Sequence, residues 1–412
     1  MDCRRLFAIG VMRPPKPISD TFDALFQMMV ARACPKFGEN EIGLSAGPAS
    51  DWRVNNFDLL RLLAALQVAV VHGIGAVKPT GHAARLLAAG LDRFPGVPIF
   101  FVISGILIST SYERSDSLRD YLRNRCLRIF PGLWVCLVVS VAVILALGVG
   151  SLGRITTLDW LLWWAGQMSI FQNFQAAFLE PLSTGLNHSL WTIPIELEFY
   201  IALPLLYGVL QPRRRLGNMR LLTIALASLA VQLLIVNSHP SVAQARAYSL
   251  LGATLVPYLW MFLVGVSIQR NWSAVRRWLF GRAHWWGLGY LILCAAAGWL
   301  GVDTGGNYLS PVYMLPLAGL IVSLATSAPQ LSDSLLRHHD VSYGLYLYHM
   351  LVIDLLVGLA APSGWASIAV AIIVSLGLAV LSWTLIEKPY LRGKRGALRA
   401  VSDGSAPQCV SP

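Results

Sequence analysis

The stretch NNFDLLRLLAALQVAVVHG, residues 55–73, decides the fold. A helix crosses a bilayer with about 20 largely apolar residues, because each backbone polar group must be satisfied within the segment. This stretch is long and apolar enough, yet it carries Asp58, Arg61 and His72. Arg61 and His72 are eleven residues apart. At about 100° and about 1.5 Å per residue they share one helical face, ~16 Å apart along the axis. Asp58, three before Arg61, is placed to pair with it. Charge in a bilayer costs at least ~2.5 to 3.5 kcal/mol on insertion scales, so such residues are functional candidates.

Nine further runs of similar character follow: Phe94 to Thr110, Ile129 to Gly150, Trp191 to Leu210, Met219 to Val236, Tyr248 to Gln269, Trp285 to Gly301, Leu309 to Thr326, Val341 to Ala360 and Trp365 to Ile386. Composition agrees, with 56% apolar and 13% charged residues over 412 positions and a mean hydropathy of +0.59. Soluble domains carry about 25% charge. That balance excludes a soluble globular enzyme, a disordered chain and a nucleic-acid binder. The expected fold class is an all-α membrane protein of about ten transmembrane helices.

The net charge of +11 is a statement about topology. With both termini in the cytoplasm, the loops 111–128, 211–218, 270–284 and 327–340 and the tail from 387 face inward and hold 18 Lys and Arg. Outward loops hold Lys78, Arg85, Arg93, Arg154 and Arg246. Cytoplasmic loops are the ones expected to be Lys/Arg-rich. An eleventh stretch, Leu158 to Phe178, is rich in Trp and Gln and reads as interfacial or re-entrant; counting it as a span would put Arg213, Arg214 and Arg215 outside. Residues 1–54 read as a poorly ordered cytoplasmic extension, 55–389 as the membrane domain and 390–412 as a cytoplasmic tail. The six cysteines show no paired spacing, and no metal site is expected.

Three more places hold chemistry-bearing residues. The inward loop YLRNRCLRIFP places Arg123, Arg125 and Arg128 before the third run. Guanidiniums offer planar forks to phosphate oxygens, but positive-inside anchoring alone would put arginines in this loop and is the stronger explanation on spacing. NHSLWTIPIELEFY, residues 187–200, carries Glu196 and Glu198, which cannot share a helical face, so one at most enters a given pocket. His188, Arg61 or a substrate hydroxyl would partner that carboxylate. In SYGLYLYHM, residues 342–350, Tyr346 and His349 are neighbours on one face; a structural hydrogen bond would account for that histidine too.

Together these segments resemble the integral-membrane acyltransferase 3 family. The carriers are Arg61 with His72, FFVISG at 100–105, RNRCLRIFP at 123–131, HSLWTIPIELEFY at 188–200, SYGLYLYHM at 342–350 and EKP at 387–389. Any one is weak; six in order, each beside its expected span, are specific. The resemblance implies transfer of an acyl group, usually acetyl, from cytoplasmic acyl-CoA to a hydroxyl of a cell-surface or exported glycan or glycolipid, at the inner (plasma) membrane.

It also implies roles. His72 matches the essential histidine, Arg61 its paired arginine, Glu196 the first carboxylate, and Arg123, Arg125 and Arg128 the donor-binding motif. Ser104 and Gly105 match a small turn in the second span, and Glu198 departs from the family's Glu-Glu-Gln. Further pocket candidates are Ser104, His188, Trp191, Tyr200 and His349, with Trp191 or Tyr200 flanking the sugar. The implied partners are acyl-CoA, the acceptor and membrane lipid. A neutral, sheltered histidine is a competent general base, its ordinary pKa being near 6.5. His72 is thus expected to deprotonate the sugar hydroxyl or to carry the acyl group transiently. The rival expectation is a secondary transporter or flippase using Arg61, His72 and Glu196; the half-chain symmetry common among transporters is not visible.

Overall fold

The computed structural model describes residues 55–147, 157–169, 187–209, 214–238, 242–303, 306–328, 330–337, 339–359 and 364–391. The extension 1–54, nearly all of the tail and the second half of the interfacial stretch lie outside the described residues. Among the described residues all regular structure is helical. The helices are α1 (Phe57–Val77), α2 (His82–Leu91), α3 (Gly96–Glu113), α4 (Leu118–Leu147), α5 (Thr157–Gln167), α6 (Thr192–Val209), α7 (Arg214–Asn237), α8 (Val242–Gly252), α9 (Leu259–Arg270), α10 (Trp272–Leu279), α11 (Ala283–Leu300), α12 (Pro311–Thr326), α13 (Leu331–Leu336), α14 (Ser342–Gly358) and α15 (Trp365–Ser382). A 3₁₀ turn, His188–Trp191, precedes α6, and a π segment, Trp383–Glu387, continues α15.

Among the described residues, six helical stretches are long and apolar enough to cross a membrane: Phe57–Val77, His82–Glu113, Leu118–Val143, Ser189–Val209, Arg215–Asn237 and Trp365–Leu391. Shorter apolar helices, Leu259–Arg270, Pro311–Thr326 and Ser342–Gly358, pack among them. The chain is a multi-pass membrane protein.

Side-chain pairs set the helix directions. Arg61 meets Asp340 and His72 meets His349, so α1 and α14 run parallel. Tyr343 bonds Ile129 and Cys136 bonds Leu347, so α4 is parallel to α14 as well. Tyr121 meets Tyr200 while Cys136 meets Asn187, so α4 and α6 are antiparallel. Asn218 pairs with Asn271 and Gln232 with Trp260, making α7 and α9 antiparallel. α15 opposes α1, with Gly73 against Ile368 and Ala65 in one cluster with Ala379.

The tightest crossing joins α3 and α9. A Cβ on Gly105 would lie 2.1 Å from the Phe262 carbonyl oxygen, and one on Gly265 2.2 Å from that of Val102. Without a hydrophobic drive between helices in lipid, such close backbone approach supplies the packing. Phe262 then stacks between Phe101 and Phe199, at centroid distances of 4.5 and 4.2 Å.

Three expectations are corrected. The run Tyr248 to Gln269 is not one helix: the chain breaks between Gly252 and Leu259. Pro257 has no N–H and disfavours a helical residue before it. The loosened backbone is satisfied by side chains. Glu198 accepts the Leu255 N–H at 2.7 Å, while the Ser228 hydroxyl donates to the Val256 carbonyl at 2.6 Å and accepts the Trp260 N–H at 3.0 Å. Glu198 therefore holds the break open. Arg123, Arg125 and Arg128 are not in a loop but on α4, whose polar first turns continue into the apolar ones. Ser104 and Gly105 form no turn; α3 is unbroken there. α5, which covers most of the described part of the interfacial stretch, has 11 residues, too few to span by itself.

Replacing Gly265 by Ala drives a Cβ into the α3 backbone, and overpacking of this kind costs roughly 1–3 kcal/mol or more. The expected result is a lower melting temperature and yield in detergent; wild-type stability would contradict the close crossing.

Candidate active site

At the end of α1 nearest its N-terminus, one carboxylate binds two guanidiniums. Asp340, in the connection before α14, accepts from Arg61 Nη1 at 3.1 Å and from Arg128 Nη2 on the same oxygen, Oδ2. Its Oδ1 accepts the Ser342 hydroxyl at 2.6 Å. All three groups are sheltered, with side-chain exposures of 13% for Arg61, 22% for Arg128 and 8% for Asp340. Burial alone would raise the Asp340 pKa; Arg128, Arg61 and the Ser342 hydrogen bond outweigh it and hold the carboxyl below the usual carboxylate range. Its stabilisation is present above the unfolded value near ~3.9 and is lost as pH falls from there through the lower folded value. The expected Asp58 pair is not what forms: Asp58 is exposed at the helix start, and Arg61 turns to Asp340.

Above this cluster lies a cavity of about 40 Å³ whose walls include Arg61, Phe100, Ser104, Glu196, Tyr343 and Tyr346. One water needs roughly 10–15 Å³, so the cavity admits only a few. Glu196 Oε1 accepts the Tyr200 hydroxyl at 2.6 Å and the Ser104 hydroxyl at 3.4 Å. Arg125 reaches towards the same group, its guanidinium carbon 5.9 Å from the Tyr200 ring centre and its Nη2 donating to the Ser111 hydroxyl at 3.1 Å. Arg123, two residues earlier and so about 200° around the helix, is exposed.

Tyr346 caps the cavity. Its hydroxyl donates to the Ser189 carbonyl and lies 2.7 Å from the Thr192 hydroxyl. The Tyr346 ring is 5.7 Å from that of His349, which is 1% exposed. His349 Nε2 lies 2.9 Å from His72 Nδ1, with the rings 16° from parallel. His72 itself is half-buried. Towards the opposite ends of these helices, Trp191, Tyr248, Gly252 and Tyr308 line a hollow of about 430 Å³. Tyr258 connects its aromatic wall, 5.5 Å from Trp191 and 5.3 Å from Tyr308.

The candidates thus fall into linked groups. Arg61 and Arg128 meet through Asp340; Glu196 joins Ser104 and Tyr200 rather than His188; His72 joins His349. Tyr200 is buried on Glu196, and Trp191 sits in the separate hollow. The His188 side chain lies outside what the structure describes. Asp340 was not among the sequence candidates, nor was buried Glu387, which accepts the Ser382 hydroxyl at 2.9 Å. The available signal for Asp340 was an acid two residues before SYGLYLYHM.

Polar side chains thus converge in the interior of a helical membrane chain, where such groups mark a functional site. Residues 54–386 match the acyltransferase domain family, and the chain belongs to this family, acyltransferase 3. Nodulation protein 10 of Rhizobium leguminosarum bv. viciae is 32% identical over 360 residues, covering 82% of this chain and 93% of that protein. An O-acetyl transferase of Shigella phage Sf6 is 27% identical over 360 residues, 82% of this chain and 96% of that one. Acyltransferase MdmB of Streptomyces mycarofaciens is 25% identical over 334 residues, with 74% and 84% covered. No solved structure matches. The protein is an acyltransferase of the membrane.

Removing one partner of a buried ion pair costs about 3–5 kcal/mol, because the other is left uncompensated. Asp340→Ala strands two guanidiniums and is expected to lower the melting temperature and the folded yield in detergent; unchanged stability would show that water already compensates them.

Proposed function

We propose that the protein is an O-acyltransferase of the inner (plasma) membrane that takes an acyl group, acetyl in the simplest case, from acyl-CoA on the cytoplasmic side. The acceptor is a hydroxyl of a cell-surface or exported glycan or glycolipid. The observation that carries the reading is the buried polar file from Arg61 and Asp340, past Ser104, Glu196 and Tyr346, to His349 and His72. A membrane interior retains such groups at a cost, and here they lead from a basic helix end to an imidazole.

The topology reading has ten crossings with both termini in the cytoplasm. Alternate crossings make runs an even number apart parallel and others antiparallel. The first and ninth, second and sixth, and third and ninth runs are parallel, and the third and fourth, fifth and sixth, and first and tenth antiparallel, which supports the count. The basic ends then face inward, as expected of Lys/Arg-rich connections.

The CoA phosphates meet Arg123, Arg125 and Arg128. A guanidinium has five N–H donors, so Arg128 can hold Asp340 and a phosphate together. Arg61 is kept at the mouth of the path by Asp340. Glu196, held by Tyr200 and Ser104, supplies the negative potential of the cavity wall. His72 removes the proton of the acceptor hydroxyl. Its oxygen bonds to the thioester carbonyl carbon, the C–S bond breaks, and the proton goes to the departing thiolate. The hollow at Trp191, Tyr248 and Tyr308 offers aromatic faces and, through Ser249, a hydroxyl, on the acceptor's side. The relative named O-acetyl transferase supports acetyl as the group moved.

General acid–base catalysis contributes about 10²- to 10⁴-fold. His72→Ala should lower transfer of label from radioactive acetyl-CoA to membrane glycan by that factor or more, with melting temperature unchanged. Full activity in that variant would sink the assignment. Arg125→Ala should raise the apparent KM for acetyl-CoA; an unchanged KM would return this arginine to a purely structural contact with Tyr200 and Ser111.

A further inference from the structure

With its imidazole neutral, the hydrogen bonds around His349 have only one consistent direction. His349 Nδ1 lies 2.9 Å from the Tyr346 carbonyl oxygen and 3.3 Å from that of Leu345, the carbonyls three and four residues earlier in α14. A carbonyl oxygen has no proton to give, so Nδ1 carries the hydrogen. A neutral imidazole has one N–H, which leaves a lone pair on Nε2. That lone pair faces His72 Nδ1 at 2.9 Å, so His72 must donate from Nδ1. The acceptor nitrogen of His72 is then Nε2.

We infer that His349 is a positioning residue that selects the Nδ1–H tautomer of His72 and thereby presents Nε2 as its basic atom. This rests on the reading of His72 as the base. The arrangement parallels the carboxylate that holds a serine hydrolase histidine in its working tautomer, with a neutral imidazole in the carboxylate's place. The choice has a local cause. His349 is buried on a transmembrane helix, where carbonyls of the preceding turn are within reach of its ring. Tyr346, one of the two residues offering them, is itself tied through its hydroxyl to the Ser189 and Thr192 segment. The chain leading into α6 and the Glu196 wall therefore helps to hold the helix turn that orients His349.

During transfer the hydroxyl proton moves to His72 Nε2, and the resulting imidazolium keeps donating from Nδ1 to His349. His349 neither gains nor loses a proton. The passage of that proton on to the thiolate returns His72 to the tautomer it started from.

The test joins a spectroscopic and a kinetic readout on the full-length protein in detergent or lipid nanodiscs. The chain has eight histidines, so ¹⁵N-histidine labelling with His72→Gln as the assignment control isolates the His72 signals. A protonated Nδ1 and an unprotonated Nε2 are expected; a protonated Nε2 on His72 overturns the inference whatever the variants do. In kinetics, His349→Gln, whose side-chain oxygen can accept in place of Nε2, should keep kcat within about tenfold. His349→Leu, without an acceptor, should lose about 10³-fold in kcat with the acetyl-CoA KM unchanged, since loss of the correct tautomer in a triad costs up to about 10⁴. A fully active His349→Leu beside an inactive His72→Ala overturns the orienting role alone. A fully active His72→Ala overturns the assignment of the base.

Discussion

Two guanidiniums at one end of an apolar bundle need a counter-charge, and one carboxylate supplies it. Asp340 draws Arg61 of α1 and Arg128 of α4 to the foot of α14, so three apolar helices are tied at one point by charge. Hydrocarbon gives an unpaired ion no alternative, so the pairing is specific even where its net contribution to stability is modest. From that point, α1 and α14 rise in parallel and bring His72 and His349 side by side.

The same economy governs the rest of the interior. Among the described residues, two irregularities are covered by side chains from neighbouring segments. Glu198 and Ser228 satisfy the break before α9, and Asn56 donates to the Ser327 and Ala328 carbonyls at 2.7 and 2.9 Å where α12 ends. Non-helical backbone at membrane depth is tolerated only where protein or a water-filled cavity receives it. Thus of the two carboxylates in IPIELEFY, one maintains the fold and the other enters the cavity. Their two-residue spacing made a division of this kind necessary, without saying which carboxylate did which.

Much of this was legible in the sequence because hydrophobic runs and helical spacing are local properties. The shared face of Arg61 and His72 and the separation of Glu196 from Glu198 followed from the helical repeat. What escaped was long-range. Asp340 sits in a connection, where an acid is unremarkable, and its partner Arg61 is 279 residues away. Hydropathy hid the break at Pro257, because the residues around it are themselves apolar. It hid the start of α4 for the opposite reason, since a helix extending beyond the bilayer has no apolar signal. The family resemblance brought His72, Arg61 and Glu196 forward together, and the structure added the side chains they contact.

In the proposed reaction, acyl groups enter from the basic end and leave as an ester on an acceptor. Sealed membrane vesicles of opposite orientation, each given radiolabelled acetyl-CoA on the outside only, test it most directly. The account predicts labelled glycan ester in inside-out vesicles and little in right-side-out ones. Equal labelling in both orientations, or label accumulating in the lumen with no ester formed, would contradict it.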